Sequence, residues 1–156
     1  MGLPRRFLAG LALCVMSLHF AVASASDSAM LHAQSQDPYP EAMMKLQRAI
    51  EANGYRFSRV QRVDYGLRKR GYDIPPYRIV FFGKPEQIRF LSVAQPELLP
   101  FLPLKIIIYQ EGDNVVLLAA NPSTLASFYR GKDVAGVFET WGRDIRKILA
   151  DASRSD

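Results

Sequence analysis

The sequence predicts an α+β fold in which an antiparallel sheet of about four to five strands is covered on one face by helices, in two layers. Three observations predict it. The elements run helix, strands, helices, with no internal repeat and no βαβ alternation. Residues 111–114 read Glu-Gly-Asp-Asn between two apolar runs, which is typical of a tight hairpin turn. Residues 134–150 carry apolar side chains along one side of a helix, which indicates a helix packed on the sheet.

The N-terminal segment predicts export. Arg5 and Arg6 precede an apolar run over residues 7–22, which ends in the small residues Ala-Ser-Ala at 23–25. This is the pattern of a cleavable signal peptide over residues 1–25. An uncleaved membrane anchor is the alternative, but the run is shorter than the ~20 apolar residues that a spanning helix needs. We therefore expect a periplasmic or secreted protein with no transmembrane segment after cleavage.

Cleavage would leave a flexible leader over residues 26–38 and a single α+β domain over residues 39–152. The leader is predicted from its small and polar composition. The one cysteine of the sequence, Cys14, lies in the predicted signal peptide. The mature chain is therefore expected to lack disulfides, thiolate metal sites and a thiol nucleophile.

The elements of the domain follow from periodicity and from glycine and proline. Residues 39–53 show the apolar spacing of an amphipathic helix, with Gly54 just beyond its end. Residues 55–63 alternate up to Phe57 and then slip, which predicts an edge strand with a bulge. The next elements are a connector without a long regular element (64–76), a strand (77–82), a helix (86–93), a central strand (104–109), its return strand (115–120), a short helix capped by Ser123 or Thr124 (123–129) and a terminal helix (134–150).

The charge distribution supplies the main functional lead. Between Lys45 and Arg89 there are eleven basic residues and four acidic ones. Seven of these bases, with tyrosines interleaved, are candidates for one positive face that binds anions. An ordinary solvated surface is the alternative. The candidate anion-binding residues are Arg56, Arg59, Arg62, Arg68, Lys69, Arg70 and Arg78, and their aromatic neighbours are Tyr65, Tyr72 and Tyr77.

The predicted compartment limits the partners of such a face. Nucleic acid is not expected outside the cytoplasm. The anions to expect there are lipid head groups, sulfate or thiosulfate-like ions, acidic polysaccharide and acidic proteins, and guanidinium groups pair well with oxyanions. An anionic small molecule or a lipid head group is therefore the expected partner.

The inventory of reactive groups predicts a protein that is not an enzyme. His19 belongs to the predicted signal peptide and His32 to the predicted leader, so no histidine is expected on the folded domain. The acidic residues Asp64, Asp73, Glu86 and Glu111 are scattered, and no metal site or cofactor is predicted. A copper site is an alternative interpretation, because thioether and imidazole ligands suit Cu(I). Its candidate ligands are Met30, His32, Met43 and Met44.

A series of short segments resembles one known family. They are Asn53-Gly54-Tyr55, Phe82-Gly83-Lys84-Pro85, Leu102-Pro103-Leu104-Lys105-Ile106, Glu111-Gly112-Asp113 and Asn121-Pro122. In this order they are similar to the bacterial and archaeal family called domain of unknown function 302. The resemblance implies a compact α+β domain that is often dimeric, and it implies no established activity. Many relatives have a histidine where this chain has Tyr65, so no role of an imidazole is carried over to that position.

Two hypotheses of function follow. The first is an exported binding or accessory domain whose sheet and basic connector receive an anionic or amphipathic ligand. The second is a homodimeric assembly module, in which strand 104–109 or an edge strand completes an interface with a second copy.

Overall fold

The structure, a computed structural model, describes residues 28–129 and 132–154. Within that part of the chain five strands form one antiparallel sheet in the order β1-β5-β4-β3-β2, which confirms the predicted α+β class. The predicted signal peptide lies outside the described residues. In chain order the elements are β1 (Met30–Ser35), α1 (Tyr39–Ala52), β2 (Arg56–Arg62), α2 (Val63–Arg68), β3 (Tyr77–Gly83), α3 (Pro85–Ala94), a 3₁₀ helix (Pro96–Phe101), β4 (Leu104–Glu111), β5 (Asn114–Ala120), a second 3₁₀ helix (Pro122–Phe128) and α4 (Lys132–Ala152).

The strand β4 lies at the centre of the sheet, as its apolar sequence predicts. Residues paired across an antiparallel ladder share a face of the sheet. Ile106 pairs with Val80, and Ile108 pairs with Leu117. All four side chains are fully buried. Branched side chains pack well on such a pleated surface. This row forms the sheet side of the hydrophobic core.

The helices α1 and α4 cover that face of the sheet. The predicted apolar stripes are confirmed, because Leu46 and Ile50 of α1 and Phe138 and Trp141 of α4 are fully buried. The indole N–H of Trp141 donates a 3.1 Å hydrogen bond to the side chain of Gln87 on α3. Within residues 28–129 and 132–154, none of the helices has both the length and the hydropathy needed to cross a bilayer.

The strand β2 is an edge strand with a β-bulge, which confirms the prediction for this segment. Its register against β3 shifts between Phe57 and Arg59. The strand also carries Arg56 and Arg62. Charged side chains on an edge strand discourage pairing with another sheet, so β2 is a poor site for strand addition.

The prediction of a flexible leader over residues 26–38 is wrong for residues 30–35. Residues Met30–Ser35 form β1, which pairs with β5 over its whole length. Leu31 and Ser35 are buried on the side of the core. Alanine, glutamine and serine in this segment have weak strand preference by themselves, so pairing with β5 supplies what the local sequence lacks.

The end of β1 is joined to α1 through Asp37. The hydroxyl of Ser35 donates a 2.6 Å hydrogen bond to Oδ2 of Asp37, and Nζ of Lys45 lies 3.1 Å from the same oxygen. The hydrogen bond from Ser35, followed by that from Lys45, holds the pKa of the Asp37 carboxyl below its usual range. These contacts fix the turn between β1 and α1.

The second 3₁₀ helix begins differently from the prediction. Its cap is Asn121, whose side-chain oxygen accepts a 3.2 Å hydrogen bond from the N–H of Ser123, and the predicted caps Ser123 and Thr124 lie within the helix. Asparagine caps a helix N-terminus as well as serine does, so the sequence alone does not decide which residue is the cap. Gly142 of α4 permits this packing, because a Cβ there would overlap Ser123 and lie 3.1 Å from Oδ1 of Asn121.

The segment that follows α1 is tied to α4 through Tyr55. Its hydroxyl donates a 2.6 Å hydrogen bond to Oδ2 of Asp144, and Nζ of Lys84 lies 3.5 Å from the same oxygen. The Lys84 ammonium also lies 4.2 Å from the centroid of the Tyr55 ring. Burial, and then the hydrogen bond to Asp144, raise the pKa of Tyr55 above its ordinary value. Lys84 therefore joins the end of β3 to α4.

Candidate functional site

The face of the sheet opposite α1 and α4 carries a row of apolar side chains, and we call this surface the open face. Ile79 pairs with Ile107, Ile107 with Leu118, and Tyr77 with Tyr109, so these five side chains lie on one side. They are partly buried, in contrast to the fully buried row on the helix-covered side. The solvent side of an antiparallel sheet is usually polar, and a contiguous apolar row on it indicates a binding surface.

The segment between α2 and β3 lies over one end of the open face and forms a groove with it. The volume of this groove is about 490 Å³. That is within the range of roughly 300–1,000 Å³ found for small-molecule sites. We call it the connector groove, and its lining residues are Leu67, Ile74, Pro75, Pro76, Tyr77, Ile107, Tyr109, Gln110 and Leu118.

The connector itself is held in a defined shape, and it contains one short helix, which agrees with the prediction that it has no long regular element. Its first part is the short helix α2. The guanidinium of Arg68 donates hydrogen bonds of 2.9 and 3.2 Å to the carbonyl oxygen of Ile74, which closes the loop. Gly71 has φ +88°, a conformation that favours glycine, and the N–H of Gln110 donates a 3.0 Å bond to the carbonyl of Pro76. These hydrogen bonds hold the groove in one shape in the free protein.

Two of the predicted cations, Lys69 and Arg70, lie on the connector, two and three residues after the groove residue Leu67, and both are exposed. The ammonium of Lys69 lies 4.5 Å from the ring centroid of Tyr65. The guanidinium of Arg62 lies 5.0 Å from the same centroid. Tyr65 thus holds two cations beside the connector by cation–π attraction, which is typically worth ~0.5–1 kcal/mol at exposed sites.

Apart from Arg62, whose guanidinium shares the Tyr65 ring with Lys69, the other predicted cations do not lie beside Lys69 and Arg70. Arg59 pairs with Phe81 on the open face, whereas Arg62 pairs with Arg78, which alternates to the helix-covered side of β3. Arg68 binds the Ile74 carbonyl and lies 3.9 Å from Asp64, so it supports the connector. Of the remaining predicted residues, Arg56 lies exposed at the start of β2, Tyr72 is 61% exposed on the connector, and Tyr77 lines the groove.

Arg78 belongs to a buried cluster on the helix-covered side. Its guanidinium lies 5.4 Å from the centroid of the Tyr39 ring. The hydroxyl of Tyr39 donates a 3.2 Å hydrogen bond to the carbonyl oxygen of Ile108. Burial raises the pKa of Tyr39 to about 12, with Arg78 acting against this shift and Asp64 adding to it. A tyrosine with this pKa stays neutral at physiological pH. The cluster brings together Tyr39 of α1, Asp64 of α2 and Arg78 of β3.

The placement of His32 corrects the inventory of reactive groups. It lies exposed in β1, so the expectation that the folded domain carries no histidine is wrong. Of the four copper-ligand candidates, Met30 and His32 alternate onto the open face of β1, Met43 is buried on the helix-covered side, and Met44 is 47% exposed on α1. The four side chains therefore do not converge. Among residues 28–129 and 132–154, no three or more His, Cys, Asp or Glu side chains are grouped as metal ligands.

The sequence-based reasoning places the ligand on the sheet but does not say which side chains of the sheet contact it. Ile107, Tyr109 and Leu118 are not among its candidate site residues. A signal was present, because the run 104–109 is apolar at every position except Lys105 and so places apolar side chains on both faces of the sheet. A strand buried on both faces needs a second covering layer. Among the described residues, the connector covers one end of this face.

The fold and the groove define a small two-layer α+β domain with one apolar sheet face left open. The family comparison agrees, since the model of the domain of unknown function DUF302 matches residues 31–152. The chain belongs to this family. The match begins within β1, which supports the inclusion of that strand in the domain.

One solved structure confirms the fold. The chain is similar to an uncharacterised conserved DUF302 protein from Bacillus stearothermophilus, with a TM-score of 0.71 and 17% sequence identity. The similarity covers 81% of this chain and 98% of the other. At this level of identity the likeness shows the fold alone. No curated protein matches the chain.

Proposed function

We propose that this chain is an exported accessory protein, without catalytic activity, that binds an amphipathic anion in the connector groove. The observation that carries the proposal is the position of an apolar groove between the open face and a basic connector. The apolar part of the ligand lies against the sheet and its anionic end lies at the connector. The predicted signal peptide supports the assignment to the periplasm or exterior.

The apolar part of the proposal rests on Ile107, Tyr109 and Leu118. These side chains are only partly buried in the free protein. A ligand chain laid over them removes apolar area from water, which stabilises the complex by ~25 cal/mol per Å² before the costs of association. The groove is already formed and its connector is hydrogen-bonded, so little ordering is needed on binding.

The charged part rests on Lys69 and Arg70. Ammonium and guanidinium groups bind phosphate, sulfate and carboxylate oxygens by charge-assisted hydrogen bonds. Both side chains are exposed, so each contact is worth only ~0.2–1 kcal/mol. The apolar contacts therefore supply most of the affinity, and the cations select an anionic head group and orient it.

The test is calorimetric titration with decyl phosphate below its micellar concentration, compared with uncharged decanol. We expect decyl phosphate to bind with an affinity that falls as salt is added. In a variant that combines Lys69→Ala and Arg70→Ala, its Kd is expected to rise about fivefold to tenfold, since two exposed contacts are lost. Decanol is expected to bind both proteins equally.

The matched control combines Arg143→Ala and Arg154→Ala, which removes the same charge from exposed positions on and beyond α4. This variant is expected to bind decyl phosphate like the parent protein. Equal weakening in both double variants would show that the loss of affinity is a general effect of net charge and not a specific effect of the connector. Unchanged binding in the connector variant would refute the role of Lys69 and Arg70.

A second candidate is a homodimer that covers the open face. Its supporting observation is the apolar row itself, because a second copy would bury it. The structure corrects one part of this hypothesis: β4 is central, so its backbone edge is not available, and the sheet edges are β1 and β2. Sedimentation analysis over a wide concentration range distinguishes the candidates. A dimer that Leu118→Glu converts to monomer is expected if the open face pairs, and a monomer at every concentration excludes it.

A further inference from the structure

The free edge of β1 differs from the sheet edge formed by β2. Among the described residues β1 is the outermost strand on its side of the sheet, with β5 as its neighbour. An edge strand presents unpaired N–H and C=O groups to which another extended chain can bond, and proteins usually block such edges with charged side chains, proline or bulges. The strand β2 carries arginines and a bulge. The six residues of β1 contain no Asp, Glu, Lys, Arg or proline and pair with β5 in unbroken register.

The ladder between β1 and β5 shows which backbone groups of β1 point to the free edge. The N–H of Asn121 donates a 2.9 Å hydrogen bond to the carbonyl oxygen of Ala29, just before β1. Hydrogen-bonded and non-hydrogen-bonded pairs alternate along an antiparallel ladder, so Leu31 is the next residue bonded to β5. By the same alternation the backbone groups of His32 and Gln34 point outward. Both residues are exposed.

A groove of about 470 Å³ lies beside this edge, between β1 and α4, and we call it the edge groove. Three small residues line it: Ala33 and Ser153 are partly buried, and Ala150 is exposed. They leave room for the side chains of an added strand. Ala33 packs against the hydrophobic core, so the edge groove lies on the helix-covered side of the sheet. It is therefore separate from the connector groove, which lies on the open face.

The edge groove contains a cation that lacks a partner, Arg146. Its Nη2 atom is buried and makes no hydrogen bond within the part of the chain that the structure describes. The side chain as a whole is only partly buried and lines the groove, so its guanidinium can be reached from there. An unpaired guanidinium N–H costs free energy, and a carboxylate is the acceptor that fits its fork of donors. The groove therefore favours a chain that brings a carboxylate.

Arg146 lies at the N-terminal end of β1. It lines a neighbouring cavity together with Ser123. The N–H of Ser123 donates to the side chain of Asn121, and Nδ2 of Asn121 donates a 2.8 Å bond to the carbonyl oxygen of Ser28. These contacts join Arg146 to the residues just before β1. A strand added antiparallel to β1 brings its C-terminal residues to this end.

We infer that the free edge of β1 binds an extended acidic segment of another polypeptide by strand addition, with a carboxylate near the C-terminal end of that segment at Arg146. Main-chain hydrogen bonds supply affinity in this mode, and side-chain contacts supply specificity. A second copy that pairs through β1 would present β1 itself, which has no carboxylate to offer Arg146. This inference does not depend on the connector groove or on the ligand proposed for it.

The first test is calorimetric titration with the synthetic peptide Thr-Val-Thr-Val-Thr-Asp, amidated at its C-terminus, and with a counterpart that ends in Asn. We expect saturable binding of the Asp peptide and a Kd about tenfold higher for the Asn peptide, since one charge-assisted hydrogen bond is lost. Arg146→Ala is expected to bind both peptides with the same weakened affinity. Arg143→Ala removes the same charge from an exposed position of α4 outside the edge groove, and it is expected to bind like the parent protein.

The second test is amide hydrogen exchange followed by NMR, which reports the mode of binding. At saturation the Asp peptide is expected to slow exchange of the His32 and Gln34 N–H groups about tenfold or more, and to leave the amides of β2 unchanged. Failure of the Asp peptide to bind, equal affinity of the parent protein for the two peptides, or binding without protection of these two amides would overturn the inference. Protection in the peptide-free protein that grows with protein concentration would assign the edge to a second copy and would also overturn it.

Discussion

Replacement of Phe82 by alanine is expected to lower the free energy of unfolding by about 3–5 kcal/mol, which is a large part of the ~5–15 kcal/mol of an ordinary domain. Phe82 is fully buried on the helix-covered face, and its ring lies 5.4 Å from that of Tyr55 at an angle of 81°. The variant loses the transfer free energy of the ring, its edge contact and the packing around the cavity left behind. Urea denaturation followed by circular dichroism measures the change.

The neighbouring phenylalanine supplies the control. Phe81 precedes Phe82 on β3 and points to the open face, where it is only partly buried. Phe81→Ala is therefore expected to cost less than half as much as Phe82→Ala. Equal losses for the two variants would contradict the assignment of one covered face and one open face.

Replacement of Leu31 by alanine is expected to cost about 2–3 kcal/mol of the free energy of unfolding. Leu31 is 7% exposed and packs in the core from β1. We place the effect at the lower end of the range for buried leucines, because an edge strand can adjust to the cavity. The same denaturation measurement applies. His32→Ala, at the next and exposed position of β1, is expected to change stability by no more than ~0.5 kcal/mol.

This pair of variants separates the structure from the sequence-based prediction of a flexible leader. A leader that does not pack tolerates both substitutions equally. A loss for Leu31→Ala that His32→Ala does not share would establish β1 as part of the folded domain. Absence of any loss in Leu31→Ala would place this segment outside the core.

The parts of the fold that were predictable are those whose pattern is strong locally. The stripes of α1 and α4, the hairpin at residues 111–114 and the central position of β4 were all visible, because periodicity and turn chemistry act within a few residues. The local sequence does not predict the strand β1. Its polar and small residues become a strand only against β5, which lies about 80 residues further along the chain.

The candidate site was predictable in composition but not in arrangement. The sequence predicts the basic connector and its tyrosines as one part of the site, and the structure places the connector against the groove. The cations of β2 do not form a single positive face because side chains alternate along a strand, so that Arg59 and Arg62, three residues apart, lie on opposite sides of the sheet. Arg68 was also misassigned, since the sequence gives no sign that its guanidinium binds the carbonyl of Ile74.

The most direct test of the central claim, that the open face binds an amphipathic anion under the basic connector, is native mass spectrometry. The chain would be expressed in a bacterial host with its N-terminal segment intact and released from the periplasm by osmotic shock. We predict a mature mass that begins at Ser24 or Ser26, with a reproducible additional mass of an anionic amphiphile that is lost in the variant combining Lys69→Ala and Arg70→Ala. A mature protein with no additional mass, or with one that this variant retains, would contradict the claim.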